Sequence, residues 1–387
     1  MSGVVIIDGH VQGLALTRSY GEKNIPVIII DRNKYPIARY SKYCTGFYKC
    51  PDYLSDEFID FLLNLGQIES LKDWLLIPCD DHIVYTISKR KNELKRIFKV
   101  ITVDFNILQN IINKRNLYNI AKNVGLPVIK TFYPQTHIIQ TSTIVGFRFP
   151  ILIKGIEGQN FYKNTKSKAF RVNNLEELNK ILDKVSQKLA LLEVMAQEMI
   201  PLGESNKVVS VTVFCVKGEI MTNWIGKKIR EHPIWFGTAT YSQSISDLKL
   251  LEQVKPLLKA LNYEGVCEIE FLQDPRDGIY YLIEINPRTW LWVGLAKACG
   301  VDYALLMYNY INNIPLNFPQ SYKIGIYWKN ELTDFIFTYI GLMKGVIKFK
   351  TFLQHLFKSK LKALYLKGDI KPFWMYMLLI PYIKFKR

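Results

Sequence analysis

Four oxygen-bearing side chains lie in one short stretch of the sequence: Glu268 and Glu270, followed by Glu284 and Asn286. Two runs rich in β-branched and aromatic residues flank a Pro- and Gly-containing turn at 274–278, which predicts a β-hairpin. Side chains alternate between the two faces of a strand, so each pair shares a face. If Glu270 lies opposite Glu284, all four side chains share one face.

This arrangement has a chemical use. Carboxylates that face each other across two strands repel, and a cation relieves the repulsion. Mg²⁺ prefers carboxylate and amide oxygens and takes further ligands from substrate phosphates. Arg288 follows directly, and its guanidinium suits developing negative charge. The arrangement therefore predicts a metal–phosphate site on this four-residue face; the alternative is a solvated polar strand face.

The composition favours an anionic partner. The chain has 387 residues, enough for two or three domains, and its 51 Lys and Arg outnumber 34 Asp and Glu to give a net charge of +17.

Its cysteines are scattered, which favours reduced thiols in a cytoplasmic protein over disulfides or a zinc site. We expect no signal peptide, and no uncharged apolar run reaches the roughly 18 residues that span a bilayer.

The first part of the chain alternates apolar strands with helices, which predicts a parallel α/β domain. The expected elements are strands at 4–8, 26–31, 74–78 and 99–103 and a helix at 106–124. Gly9 and Gly13 follow the first strand and serve either the turn or a substrate. Asp80 and Asp81 follow the third strand, where they either orient a substrate amine or cap a helix.

Two lysines stand out in the next part. Lys154 ends an apolar strand, and placing a lysine stem beside a phosphate or purine is a use that core packing does not require. Lys114 lies within the predicted helix, so it is either a phosphate contact or a solvated helix lysine. The residues at 155–162 predict a glycine-containing loop.

Several motifs together resemble the ATP-grasp carboxylate-amine ligases. E-x-N-P-R at 284–288 resembles the terminal signature of that family, and the strand ending in Lys154 resembles its P-x-x-x-K strand. Q-E-x-I-P-x-G-E at 197–204 resembles its hinge. The cationic stretch at 227–238 resembles that of amino-acid-type ligases, including D-aspartate ligases. The resemblance covers roughly residues 1 to 312.

The resemblance implies a role for each matching residue. Lys114 and Lys154 would contact the phosphates of ATP. Glu198 would face the adenine amino group, and the backbone of Met199 and Ile200 would read the adenine edge. Glu204 would face the ribose hydroxyls. Mg²⁺, or Mn²⁺ in its place, would be bound by Glu270, Glu284 and Asn286. Lys228 and Arg230 would hold the γ-phosphate or the substrate carboxylate, for which a solvated loop is the alternative, and together with Arg288 they would hold the acyl phosphate.

From residue 320 onward the sequence changes character. This part has 13 basic and 3 acidic residues, and lysines interleave with aromatic side chains. It fits an interfacial helix on an anionic membrane, or a packed subdomain with a solvated basic face. RNA binding fits less well, because no nucleic-acid motif is present. Residues 368–372 resemble the D-P-x-P element that closes many such ligases. Trp290 and Trp292 either pack in the core or border the acceptor pocket.

The expected fold is therefore ATP-grasp, with α/β and α+β parts. We expect a parallel α/β domain at 1–110, a central lobe at 111–200, a C-terminal lobe at 201–319 and a basic extension at 320–387. By family resemblance, ATP would phosphorylate a carboxylate and an amine would displace the phosphate. Rival interpretations are a nucleotide-binding scaffold and a carboxylase or phosphotransferase. The expected location is cytoplasmic, with or without contact to the inner face of the membrane; a homodimer remains open.

Overall fold

The structure is a computed structural model. It describes residues 2–134, 146–201, 207–232, 237–343 and 361–386, together with residues 345, 349, 350, 353 and 358. Side chains are not described at 207 and from 381 onward.

The amino-terminal part forms a five-stranded sheet in the order β3-β2-β1-β4-β5, and every pair in it is parallel. Its strands are β1 (Val4–Ile7), β2 (Val27–Asp31), β3 (Cys44–Lys49), β4 (Leu75–Pro78) and β5 (Lys99–Val100). Its helices are α1 (Val11–Gly21), α2 (Glu57–Ile68), α3 (Asp81–Lys89) and α4 (Lys91–Leu94). Strands β1 and β4 are apolar and buried throughout, as is typical of parallel strands covered on both faces. The sequence did not predict β3, a half-exposed edge strand without an apolar run.

The single helix expected at 106–124 is wrong: the structure has α5 (Phe105–Ile112) and α6 (Lys114–Asn123). Asn113 separates them with an extended backbone, and its side-chain oxygen accepts a hydrogen bond from the Asn116 N–H. Asparagine favours this capping position because its side chain replaces a missing backbone partner. Lys114 consequently begins a helix.

The central lobe is a four-stranded antiparallel sheet in the order β6-β9-β7-β8. It contains β6 (Thr131–Phe132), β7 (Ile151–Gly155), β8 (Phe170–Val172), β9 (Val194–Glu198), α7 (Gly158–Thr165) and α8 (Leu175–Ser186). The loop predicted at 155–162 is therefore mostly helix α7. Asn174 caps α8 by accepting from the Glu177 N–H.

The C-terminal lobe is built on a seven-stranded sheet in the order β14-β13-β10-β11-β12-β15-β16. It contains β10 (Lys207–Val216), β11 (Glu219–His232), β12 (Thr238–Ile245), β13 (Gly265–Gln273) and β14 (Tyr280–Asn286), with α9 (Leu248–Ala260), α10 (Val293–Cys299) and α11 (Tyr303–Ile311). Residues 226–232 continue strand β11, so Lys228 and Arg230 lie on a strand. The alternative prediction of a solvated loop at these two residues is therefore wrong.

Trp290 and Trp292 lie in a buried core that joins α1 to the C-terminal lobe. Trp224 stacks on Trp290 with ring centroids 6.0 Å apart. Gly226 leaves room for this packing, since an added Cβ would come within 2.3 Å of the Trp292 ring. The structure thus favours the core interpretation of both tryptophans.

The extension adds to the C-terminal sheet. Strand β15 (Tyr327–Lys329) pairs with β12, and β16 (Leu361–Lys362) pairs with β15. Helices α12 (Glu331–Met343) and α13 (Lys371–Lys386) complete it. Within the described residues, no helix combines the length and the apolar character needed to cross a membrane.

Candidate functional site

The hairpin of β13 and β14 has the register that the sequence predicts. Glu270 lies opposite Glu284, and Glu268 lies opposite Asn286. A bulge follows Glu270, after which Phe271 pairs with Leu282. The four oxygen-bearing side chains therefore share one face, as expected.

Asn286 and Glu268 are tied together on that face. The Asn286 Nδ2 donates to Glu268 Oε2 at 3.0 Å and to Glu270 Oε1 at 3.2 Å. The Ser210 hydroxyl donates to Glu268 Oε1 at 2.8 Å. Burial and then the charge of Glu270 raise the pKa of Glu268 to about 7. Glu268 was not a predicted ligand; its contacts orient Asn286, with the amide nitrogen toward the acids.

Lysines from separate elements surround the two carboxylates. The Lys228 Nζ on β11 lies 2.8 Å from Glu270 Oε2, and the Lys114 Nζ at the start of α6 lies 3.5 Å from Glu284 Oε2. Burial alone would raise the pKa of Glu284, but the charges of Lys114, Lys228 and Lys154 lower it overall. Burial would likewise lower the pKa of Lys228, but Glu270 and Glu268 raise it.

Helix α6 is fixed between the two lobes. The Lys114 N–H donates to the Ile156 carbonyl at 3.0 Å, next to the end of β7. The Tyr118 hydroxyl donates to the Ile283 carbonyl on β14 at 2.9 Å. These bonds bring the end of β7, which carries Lys154, to the carboxylate face of the hairpin. Burial and then the charge of Lys114 lower the pKa of Lys154 to about 7.

Arg288 connects this site to the amino-terminal domain. Its Nε and Nη2 donate to the two Asp81 oxygens at 2.6 and 3.0 Å, and its Nη1 donates to the Thr289 carbonyl at 3.0 Å. Asp80 caps α3 by accepting from the His82 N–H at 2.8 Å. The sequence left a substrate amine or a helix cap open for both acids. In the structure Asp80 caps a helix, whereas Asp81 pairs with Arg288. Sequence reasoning missed the pair of Asp81 and Arg288.

The comparisons with known proteins agree with this geometry. Residues 236–317, which include the hairpin, match the family model for the carbamoyl-phosphate synthase L chain, ATP binding domain. The D-aspartate ligase of Enterococcus faecium is 26% identical over an alignment of 306 positions, which covers 69% of this chain and 72% of that protein. The chain is similar in sequence to ATP-grasp ligases. The resemblance and the fold predicted from the sequence are confirmed.

Solved structures with the ATP-grasp fold superpose over most of the chain. N5-carboxyaminoimidazole synthetase from Staphylococcus aureus has a TM-score of 0.65 at 17% identity and covers 84% of this chain and 80% of its own. The same enzyme complexed with ADP has a TM-score of 0.63. The L-amino acid ligase from Bacillus licheniformis has a TM-score of 0.60 at 16% identity, covering 80% of this chain and 74% of its own. These likenesses establish the fold.

The residues of the hinge that the ATP-grasp resemblance assigns to the nucleotide are partly engaged within the protein. The Met199 N–H donates to the Pro150 carbonyl at 3.1 Å, so this amide extends the pairing of β7 and β9. A Glu198 oxygen accepts from the Arg148 N–H at 3.1 Å. Glu204 lies outside the described residues. An adjacent cavity of about 270 Å³ is lined by Met199, Pro150 and neighbouring side chains.

Arg230 on β11 contacts the extension. Its Nε and Nη2 donate to the two Asp334 oxygens of α12 at 2.8 and 2.6 Å, and its guanidinium lies 4.4 Å from the Tyr241 ring centroid. The pair joins β11 to the extension. The assignment of Arg230 to phosphate stays a prediction, beside a structural role that the geometry shows.

The residues present fit a magnesium ion that carries a nucleotide. Across the described parts of the chain, no three His, Cys, Asp or Glu side chains converge as a ready-made metal cage. Mg²⁺ does not require one, because it is commonly held by one or two carboxylates with substrate phosphates and water. Glu270 and Glu284 supply carboxylates, and Asn286 supplies an amide oxygen. The lysine contacts of both acids show that the site favours positive charge.

We expect nucleotide binding to take up a proton at Lys154. With a pKa of about 7, free Lys154 is mostly neutral at pH 8. A phosphate beside the amine favours its charged form and raises the pKa, so ATP binding should take up about one proton at pH 8 and little at pH 6. Isothermal titration calorimetry in buffers of different ionisation enthalpy measures this uptake. Lys154→Met should abolish it, whereas the exposed control Lys180→Met should not; equal uptake in both variants would contradict the assignment.

We expect Asp81 to position Arg288. Asp81→Asn removes the charge that orients the guanidinium, and such supporting contacts typically contribute about 10- to 100-fold to activity. The loss should fall on kcat, while the melting temperature changes little because both side chains are partly exposed. Asp81→Glu should recover part of the activity. Steady-state kinetics provide the measurement, and an unchanged kcat in Asp81→Asn would exclude this positioning role.

Proposed function

We propose that the protein is an ATP-dependent ligase that activates a carboxylate as an acyl phosphate and joins it to an amine. The observation that carries the proposal is the convergence of Lys114, Lys154 and Lys228 around Glu270 and Glu284 at the junction of the two lobes. In such a site, lysines neutralise the negative charge of a triphosphate and carboxylates bind the cation that accompanies it. ADP and phosphate are the other products.

The proposed chemistry depends on positioning more than on a nucleophilic side chain. A substrate carboxylate oxygen attacks the γ-phosphorus and ADP leaves; the amine nitrogen then attacks the acyl carbon, phosphate leaves and the nitrogen loses a proton. Mg²⁺ or Mn²⁺ held by Glu270, Glu284 and Asn286 would supply positive charge at the β- and γ-phosphates. We assign Arg288 and Lys228 to balancing the charge of the acyl phosphate.

The adenine would lie against the hinge in this proposal. Because the Met199 N–H is bonded to Pro150, we assign the donor that reads the base edge to Ile200. Glu198 is assigned to the adenine amino group and Glu204 to the ribose hydroxyls. The ADP complex of the similarly folded synthetase supports nucleotide binding by this fold.

The substrate class follows from the sequence likeness to a D-aspartate ligase. We propose that an amino acid supplies the carboxylate and that a cell-wall or surface-glycan precursor supplies the amine. The likeness extends over an alignment of 306 positions and covers 69% of this chain. It is the reason to prefer a ligase to a carboxylase, whose structures share only the fold.

The test is a screen of carboxylate and amine pairs, starting with D- and L-aspartate, scored by ADP and phosphate release and by mass spectrometry of the product. The proposal predicts release that requires both substrates and a divalent cation. Release that requires bicarbonate would instead identify a carboxylase. Nucleotide binding without release for any pair would favour the non-catalytic scaffold.

A further inference from the structure

The proposed ligase activity leaves the surface of the extension unexplained. Helix α12 presents an apolar stripe to solvent, with Phe335, Tyr339 and Met343 at intervals of four residues. Met343 is 73% exposed. The opposite side of the helix is buried through Asp334 and Thr338. The amphipathic pattern is thus partly inverted, since large apolar side chains face outward.

Helix α13 shows the same pattern. Trp374, Met377 and Leu378 are exposed, and Leu378 reaches 72%, whereas Tyr376 is buried. The hydroxyls of Thr333 and Tyr376 lie 3.2 Å apart, so α13 contacts α12. The two helices therefore form one outer layer that carries exposed apolar side chains.

The acidic residues of this layer all point into the protein. Glu331 accepts hydrogen bonds from the backbone N–H groups of Ala363, Leu364 and Tyr365. Asp334 is paired with Arg230, and Asp369 is paired with Arg18. These three acids are the only ones in residues 320–387.

Most of the described lysines of the same region face solvent. Among the described residues, those that are exposed are Lys323, Lys350, Lys358, Lys362, Lys367 and Lys371. Because the acids are turned inward, the outer surface combines apolar side chains with positive charge that no local carboxylate offsets. Contiguous exposed apolar surface of this kind marks an interaction site.

We propose that α12 and α13 lie on the surface of an anionic lipid bilayer, with the apolar side chains among the acyl chains and the lysines at the headgroups. Interfacial helices have this combination of apolar and basic residues without the length needed to span. Lysines close to an anionic leaflet add attraction that a neutral surface lacks. The excess of positive charge disfavours the other apolar occupant, a second copy of the same face, because like charges would meet.

Vesicle co-sedimentation of the full chain, without ATP or ligase substrates, tests the proposal independently of the proposed activity. We expect binding to vesicles that contain phosphatidylglycerol, little binding to pure phosphatidylcholine, and weaker binding at high salt. Met343→Glu and Leu378→Glu together should weaken binding by at least about tenfold, since each replaces an exposed apolar side chain that would enter the bilayer. Ile68→Glu is a matched control, because Ile68 is 78% exposed on the distant helix α2.

Three results would overturn the proposal. The first is no binding of the wild type to anionic vesicles, and the second is equal binding by the double variant. The third is a dimer in analytical ultracentrifugation that the double variant dissociates while vesicle binding stays unchanged, because the face would then be covered by a second copy. Circular dichroism of both variants checks that the fold is retained.

Discussion

Glu284→Gln should lower ATP-dependent ligation by at least about 100-fold while the protein stays folded. The Glu284 carboxylate is the group on which the charges of Lys114, Lys154 and Lys228 act together, so the substitution leaves these lysines without their common acid. Its side chain is 40% exposed, and its removal should therefore cost little stability. ADP release measures the first effect and thermal unfolding the second.

A matched substitution tests whether the loss of activity is specific to Glu284 or follows from removing any carboxylate. Glu252→Gln removes an acid from an exposed pair with Lys255 on α9, and we expect wild-type activity in this variant. Glu284→Ala should behave as Glu284→Gln does. A fully active Glu284→Gln enzyme would refute the metal–phosphate assignment of the hairpin.

Asp369→Ala should lower the free energy of unfolding by about 3–5 kcal/mol, because it leaves a buried guanidinium without its counter-charge. The Asp369 carboxylate accepts hydrogen bonds from Arg18 Nε, the Ser41 hydroxyl and the Lys42 N–H, each at 2.8 Å. Arg18 also donates to the carbonyls of Ala363 and Leu364. Urea unfolding at neutral pH measures the loss.

An exposed ion pair provides the control for this prediction. Glu176→Gln removes an acid that pairs with Lys180 on the surface of α8, and its cost should not exceed about 0.5 kcal/mol. Combining Arg18→Met with Asp369→Ala should cost less than the sum of the single changes, because the pair is then removed together. Additive losses would show that Asp369 acts through other contacts.

The sequence was sufficient for the parts of the site that depend on local pattern. Alternation along two strands and the turn between them determine that Glu270 and Glu284 face each other. An apolar strand that ends in a lysine indicated Lys154. Helix N-caps at Asn174 and Asp247 follow from residue type and position.

Long-range partners were not predictable in this way. Asp81 and Arg288 are 207 residues apart, and Arg18 and Asp369 are 351 apart, so no periodicity relates them. The break at Asn113 was missed because the apolar spacing runs across it. The strand at 226–232 was missed because its run of cations is typical of a loop.

The inward acids of the extension have a consequence for how the chain can be shortened. A fragment that stops before residue 320 would keep Arg18 and Arg230 but lose both of their carboxylate partners, and it would also lose strand β15 from the edge of the sheet. Two guanidinium groups would then lack their counter-charges. The backbone donors and acceptors along the uncovered edge of the sheet could pair with another copy of the fragment. Expression trials and crystallisation trials should therefore retain the last 68 residues, even though the resemblance to known ligases covers mainly residues 1 to 312.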